Sequence, residues 1–244
     1  MRANYKMQRL FVDAELDTDA TVALDKSQSS YVLNVLRMED GAALLVFNGT
    51  NGEWLARLEK TGKKTAQLAC VSQERSQPST PDLIFCFAPL KAGRLDYMVQ
   101  KAVEMGAGVL QPVLTDFTQN HRVSVDKMRA WAIEAAEQCG VLSIPSCLEP
   151  VKFQSLLNGW DDRSGLIFCD EDHETHNPLE RLNGLANKTY GVLIGPEGGF
   201  SDAERTQLRA LPFVTPIPLG PRILRADTAA VAALAVIQAT VGDW

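Results

Sequence analysis

The 244-residue sequence predicts a small β-barrel followed by an α/β domain, and three observations carry that prediction. Short, turn-punctuated strand patterns fill the chain before Gln73. A polar, proline-bearing run, Gln73 to Pro81, then has the composition of a linker. Beyond it apolar strand patterns alternate with helical ones, as in α/β architectures. Domains at residues 1–75 and 80–244 follow, and 45% hydrophobic content is enough to give them buried cores.

In the first domain the candidate strands are Ala43 to Phe47, Glu53 to Leu58 and Ala66 to Val71. Asn48-Gly49 and Asn51-Gly52 supply the turn chemistry between the first two. After the linker, Leu83 to Phe87 is an apolar strand. A helix starting near Arg94 puts Leu95, Met98, Val99, Ala102 and Val103 on one stripe, and Gly106 stops it. Leu166 to Cys169 is the next strand.

Gly191 to Glu204 combines a buried strand, a glycine loop and a helix start. Val192, Leu193 and Ile194 are apolar, Gly195, Gly198 and Gly199 strip side chains from the turn, and Ser201 with Glu204 forms a capping box. Further on, Pro216 and Pro218 hold the chain extended before an irregular loop, Leu219 to Ala229, and an alanine-rich helix toward Gly242. Periodicity alone gives a doubly wound domain with undetermined strand order.

Loops at the carboxyl ends of parallel strands are where α/β sheets bind small molecules. The loop at Gly195 to Gly199 has no Lys-Ser/Thr pair after its glycines and lacks the dinucleotide spacing, so neither familiar phosphate loop applies. Glu197 adds a negative charge that opposes a polyphosphate but accepts hydrogen bonds from ribose hydroxyls or faces a cation. A nucleoside without phosphates suits the loop; a tight turn with an ordinary helix cap is the alternative.

Net charge is −6, which excludes a uniformly basic, nucleic-acid-coating surface. Ten basic and ten acidic residues up to Arg75 leave the first domain neutral, so any RNA site is local. Five cysteines without a CxxC pair point to reduced thiols in the cytoplasm. Ala229 to Ile237, the longest apolar run, is too short to cross a bilayer. Asp170 to His176 offers two histidines among four acids as a metal-hydrolase alternative, but no HExxH pattern accompanies it and no metal is expected. A serine-hydrolase GxSxG elbow is also missing.

Gly195-Pro196-Glu197-Gly198-Gly199-Phe200-Ser201 followed by Leu219-Gly220-Pro221-Arg222-Ile223-Leu224-Arg225-Ala226-Asp227-Thr228-Ala229 resembles the two cofactor-loop motifs of the bacterial 16S ribosomal RNA uridine N3-methyltransferases, in the SPOUT superfamily. Met7 to Val12 is similar to that family's usual start and Val35-Leu36-Arg37 to its first-domain motif. Leu90-Lys91 through Gly106, and Glu134 to Gln138, resemble parts of its catalytic domain. The family pattern has Glu where this chain has Asp227, Arg where it has Val141, and often His near Ser30.

The resemblance implies a PUA-like barrel that helps hold RNA and a SPOUT domain with a deep trefoil knot. It also implies S-adenosylmethionine as cofactor, 16S RNA in the small ribosomal subunit as substrate, and a homodimer. Leu193, Gly195, Pro196, Glu197, Gly198, Leu219, Gly220, Ile223 and Leu224 become the cofactor-binding candidates, with Leu219, Ile223 and Leu224 also as apolar walls. Arg225 is the candidate for stabilising charge on the uracil and Asp227 for accepting its proton, though Asp227 also suits the N-cap of the last helix. Arg9, Arg37, Lys91 and Arg94 are the candidate RNA contacts. Arg2 and Lys6 are further candidates, as are the turn lysines Lys60, Lys63 and Lys64, a cluster more simply read as solvated. A related protein that binds cofactor and RNA without turnover is the other open reading.

Overall fold

The computed structural model describes residues 6–91, 93–161, 163–170, 177–185 and 189–244. Arg2 and most of the proposed metal segment, residues 171–176, lie outside them. The chain divides into two compact units, Met1–Ser79 with Ala136–Ile144, and Thr80–Ala135 with Pro145–Trp244.

In the first unit the strands are β1 (Arg9–Phe11), β2 (Thr21–Ala23), β3 (Ala43–Phe47), β4 (Glu53–Lys60) and β5 (Ala66–Arg75), with a short helix α1 (Lys26–Ser30) after β2. Their order is β1-β3-β4-β5-β2, with β1 parallel to β3 and the other pairs antiparallel. Among the described residues the two outer strands do not pair, so the expected barrel is a curled five-stranded sheet. One face encloses Val32, Leu44, Val46, Trp54, Leu58 and Leu68. Strand β5 runs to Arg75, so the irregular segment begins at Ser76, later than composition suggests.

Arg9 lies inside this unit, only 7% exposed. Its Nε is 2.6 Å from Oε1 of Glu53, itself 1% exposed, and Arg75 donates to both Glu53 oxygens at 2.7 and 2.8 Å. Arg75 also donates to the Gly140 carbonyl at 2.9 Å, and Phe11 N donates to Glu137 at 2.8 Å, which ties residues 136–144 into the unit. Arg9 therefore holds the interior together and is not part of the RNA surface proposed below. Arg37 is exposed, at a left-handed φ of 52° that few non-glycine residues adopt.

The second unit is an α/β layer structure. Its strands are β6 (Ile84–Phe87), β7 (Val109–Leu114), β8 (Ser146–Cys147), β9 (Val151–Lys152), β10 (Gly165–Cys169), β11 (Tyr190–Ile194) and β12 (Val214–Ile217). The parallel order is β12-β10-β11-β6-β7-β8, with β9 on the far end of β7. Fully buried β11 is central, as its apolar run requires.

The helices here are α2 (Leu95–Glu104), α3 (Val125–Cys139), α4 (Phe153–Asn158), α5 (Leu179–Leu182), α6 (Asp202–Ala210) and α7 (Ala226–Val241). The buried residues of α2 are Leu95, Met98, Val99, Ala102 and Val103, the predicted stripe, and Gly106 leaves the helix at φ 82°. Packed beside α2, α7 buries Ala230, Ala233, Leu234 and Ile237. Among the described residues no helix is long and apolar enough to cross a membrane.

Candidate active site

At the carboxyl ends of β10, β11 and β12 the chain leaves the sheet in three loops, and a cavity of about 430 Å³ opens between them. This is the position where parallel sheets hold ligands. Ile194, Gly195, Pro196, Glu197 and Gly199 form one side; Leu219 to Arg225 form the other, closed by Ala226 and Ala229 of α7.

Local sequence explains the first wall. A side chain at Gly195 would come within 2.9–3.3 Å of the Phe200 ring, which is buried against Phe168 in an edge-to-face contact at 5.2 Å. The turn closes through Gly199 N to Pro196 O at 2.9 Å. Helix α6 then starts on the expected capping box: Ser201 Oγ accepts from Glu204 N at 3.3 Å, and Glu204 Oε2 accepts from Ser201 N at 2.9 Å.

The other oxygen of Glu204 accepts from Asp116 N at 2.9 Å, while Ser201 Oγ donates to Asp116 Oδ2 at 2.6 Å. The glycine loop is thus fastened to the turn after β7, where Phe117 lies 3.3 Å from the space a Gly198 side chain would need. Nothing local marks Asp116, which stands 85 residues away from Ser201.

Of the predicted cofactor residues, Gly195, Pro196, Glu197, Leu219, Gly220, Ile223 and Leu224 line the cavity. Leu193 and Gly198 do not: Leu193 is wholly buried in the sheet core, and Gly198 sits against Phe117. Ile223 lines the cavity too and is 95% exposed, so no other part of the chain covers it there.

Arg225 lines the cavity as the N-cap of α7, in extended conformation and without a side-chain cap bond. Because the helix starts at Ala226, Asp227 is not the N-cap; it lies in the first turn, and its carboxylate accepts from Thr228 N at 3.0 Å. Asp227 is not among the lining residues, whereas its neighbours Ala226 and Ala229 are. Arg94 lines the cavity and Lys91 is exposed.

Sequence reasoning missed Arg205, whose Nε donates to Phe200 O at 3.1 Å, and Arg222 was only part of a motif; both line the cavity. With Arg94 and Arg225 they put four arginines in its lining, of which Arg222 and Arg225 are exposed. Asp170 also lines it, buried and held by Arg209 at 2.7 Å, so its charge is already balanced. Burial, helped by the charge of Asp170, pushes the neighbouring Cys169 thiol up to about 12, leaving it a neutral part of the wall. No group of three His, Cys, Asp or Glu among the described residues is disposed to hold a metal.

An α/β unit with two loops meeting at its strand ends, in a chain that also carries a curled five-stranded sheet, has the form of an RNA-modifying methyltransferase. Residues 77–238 match the RNA methyltransferase domain family and residues 24–69 the RNA methyltransferase PUA domain family. The chain belongs to the ribosomal RNA small subunit methyltransferase E family. It is 31% identical to the Synechocystis member over 95% of this chain and 77% of that protein. With the Rickettsia conorii member it shares 28% over 96% of each.

Two solved structures cover 96% of this chain and 97% of their own. The Neisseria gonorrhoeae enzyme, bound to S-adenosylmethionine, superposes with a TM-score of 0.82 at 23% identity. A Legionella pneumophila protein in complex with the same cofactor has a TM-score of 0.79 at 29% identity. The PUA-like sheet and parallel SPOUT unit expected from the resemblance are thus the fold of this chain, and family membership implies the trefoil knot.

Proposed function

We propose that this protein transfers a methyl group from S-adenosylmethionine to N3 of a uridine in 16S ribosomal RNA, the decoding-region uridine 1498, within the small ribosomal subunit. The observation that carries the reading is the cavity at the strand ends, formed by both resembling motifs and lined by arginines. Its volume of about 430 Å³ falls in the range of roughly 300–1,000 Å³ usual for small-ligand sites. Glycine-rich backbone on one side and Leu219 and Leu224 on the other suit adenine and ribose, and Glu197 suits hydroxyls or a cationic end. The Legionella relative supports the cofactor assignment.

S-adenosylmethionine, when bound, supplies an activated methyl group with its own leaving group. The protein's remaining tasks are alignment and proton removal, because uracil N3 is protonated at neutral pH and its lone pair is free only after the proton leaves. Arg225 faces the site and stabilises the negative charge that develops on the uracil oxygens. Asp227 accepts the proton, directly or through water. Arg94, Arg205 and Arg222 take RNA phosphate at the rim, with Arg37 and Lys91 as further contacts, so RNA affinity falls steeply with salt. The protein works in the cytoplasm as a homodimer, for which half-buried Val231, Ala232, Ala235 and Val236 of α7 offer an apolar second face.

Incubation with S-adenosylmethionine and small subunits lacking the modification should yield 3-methyluridine by nucleoside mass spectrometry. The position of Asp227, bonded to Thr228 and away from the lining, favours one rival: a cofactor and RNA binder without turnover. That rival predicts tight cofactor binding and no product. A blank with no cofactor binding at all removes both readings.

Gly195→Ala checks the loop assignment. The new methyl collides with the buried Phe200 ring, an overpacking that costs about 1–3 kcal/mol, and the relief available is movement of the loop into the cavity. Cofactor affinity by calorimetry should fall at least tenfold, roughly the 1.4 kcal/mol equivalent, while Gly184→Ala, with open space around it, should change nothing.

A further inference from the structure

We propose that Ile223 is a wedge: its side chain enters the RNA stack beside the target nucleotide and holds open the gap left when the uridine turns into the cavity. The inference rests on the uridine-methylation reading above and names a residue that acts on the RNA rather than on the cofactor.

A single exposed isoleucine means little, since apolar residues are common on surfaces. The place of this one is what counts. Ile223 is 95% exposed, more than any other large apolar residue described, although its own loop lines the cavity. Exposed arginines, Arg222 and Arg225, stand on either side of it in that loop and line the same cavity, so the apolar side chain lies between two cations along the chain. Cations of that kind draw phosphates to the rim, and an apolar branched side chain between them has bases as its natural partners.

The reaction also needs such a group. A stacked base reaches a recessed cavity only by leaving the stack, at a cost of a few kcal/mol, and a side chain inserted in its place offsets part of that cost. Gly220, at φ 87°, takes a left-handed turn that few other residues adopt, two residues before Arg222.

The test compares wild-type protein with Ile223→Ala, Ile223→Ser and Ile223→Met in single-turnover methylation of small subunits at saturating enzyme. Ala and Ser are expected to lower the methyl-transfer rate at least tenfold with cofactor affinity unchanged, and Met to restore most of it. In subunits reconstituted with an abasic residue beside the target, where less stacking must be broken, the Ala defect should shrink to near nothing. Equal rates for Ala and wild type overturn the proposal. So does a parallel loss of cofactor affinity, which would make Ile223 a cofactor wall, or a shift in sedimentation, which would place it under a second copy of the chain. Absence of 3-methyluridine with wild-type protein is a separate result and sinks the underlying function instead.

Discussion

Replacing Glu53 by alanine is expected to destabilise the first unit by about 3–5 kcal/mol, the usual cost of breaking a buried ion pair by removing one member. Glu53 is 1% exposed, and Arg9, 7% exposed, keeps its contact with the Glu137 carbonyl at 3.4 Å but loses the carboxylate 2.6 Å from its Nε. Arg75, less deeply placed, would keep its bond to Gly140. For a unit of this size the loss corresponds to a fall of more than ~10 °C in its thermal transition, measurable by calorimetry. Arg9→Met combined with Glu53→Leu should recover much of the loss, because it removes both charges and keeps the volume. A Glu53→Ala protein that melts with wild type would show that the network contributes nothing net.

The same residue predicts a pH dependence. Burial pushes the Glu53 carboxyl up, but the hydrogen bonds and charges of Arg75 and Arg9 together outweigh it and hold it below its ordinary value. A depressed folded pKa gives stability that is fully present above the unfolded value, near ~4.3 for glutamate. That stability is lost as the pH falls through the lower folded value. Wild type should therefore lose stability in acid below about pH 4, and Glu53→Ala should lack that component of the loss.

What could be read from the sequence was whatever is written locally. The α2 stripe, the Asn-Gly turns and the capping box of Ser201 and Glu204 each depend on residues within a few positions of one another, and they lie where the pattern puts them. The two cavity loops were legible because both carry dense motifs. Pairings across the chain were not. Arg9 has the composition of an RNA contact, and only its distance to Glu53, 44 residues on, makes it internal. Asp116 carries no motif and becomes part of the site through Ser201 and Glu204. The open edges of the first sheet, and the return of residues 136–144 to that unit, depend on the same long-range pairing. A motif specifies which residues meet at the cavity without specifying how each is covered: Leu224 is half-buried, whereas its neighbour Ile223 is 95% exposed in the same lining.

Arg225→Ala is expected to lower kcat by about 10²–10³-fold, the loss usual when one preorganised group facing a developing anion is removed. Among the described residues its guanidinium forms no ion pair, and it stands at the cavity as the N-cap of α7, so its charge is available to a base placed there. Cofactor affinity should be unchanged, since the contacts proposed for the cofactor are the glycine-loop backbone, Leu219, Leu224 and Glu197. Arg225→Lys keeps the charge but loses the planar fork, and so should restore only part of the rate. The deficit should also shrink as the pH is raised, because solvent then supplies the uracil anion that Arg225 otherwise stabilises. Asp227→Asn separates the two roles. If Asp227 takes the proton, its loss lowers kcat at neutral pH and is likewise relieved by alkali; if it only favours the first turn of α7, turnover is kept and stability falls by about 0.3–1 kcal/mol. Full turnover in Asp227→Asn beside a large, alkali-rescued loss in Arg225→Ala would assign the chemistry to charge stabilisation alone, with water as the proton acceptor.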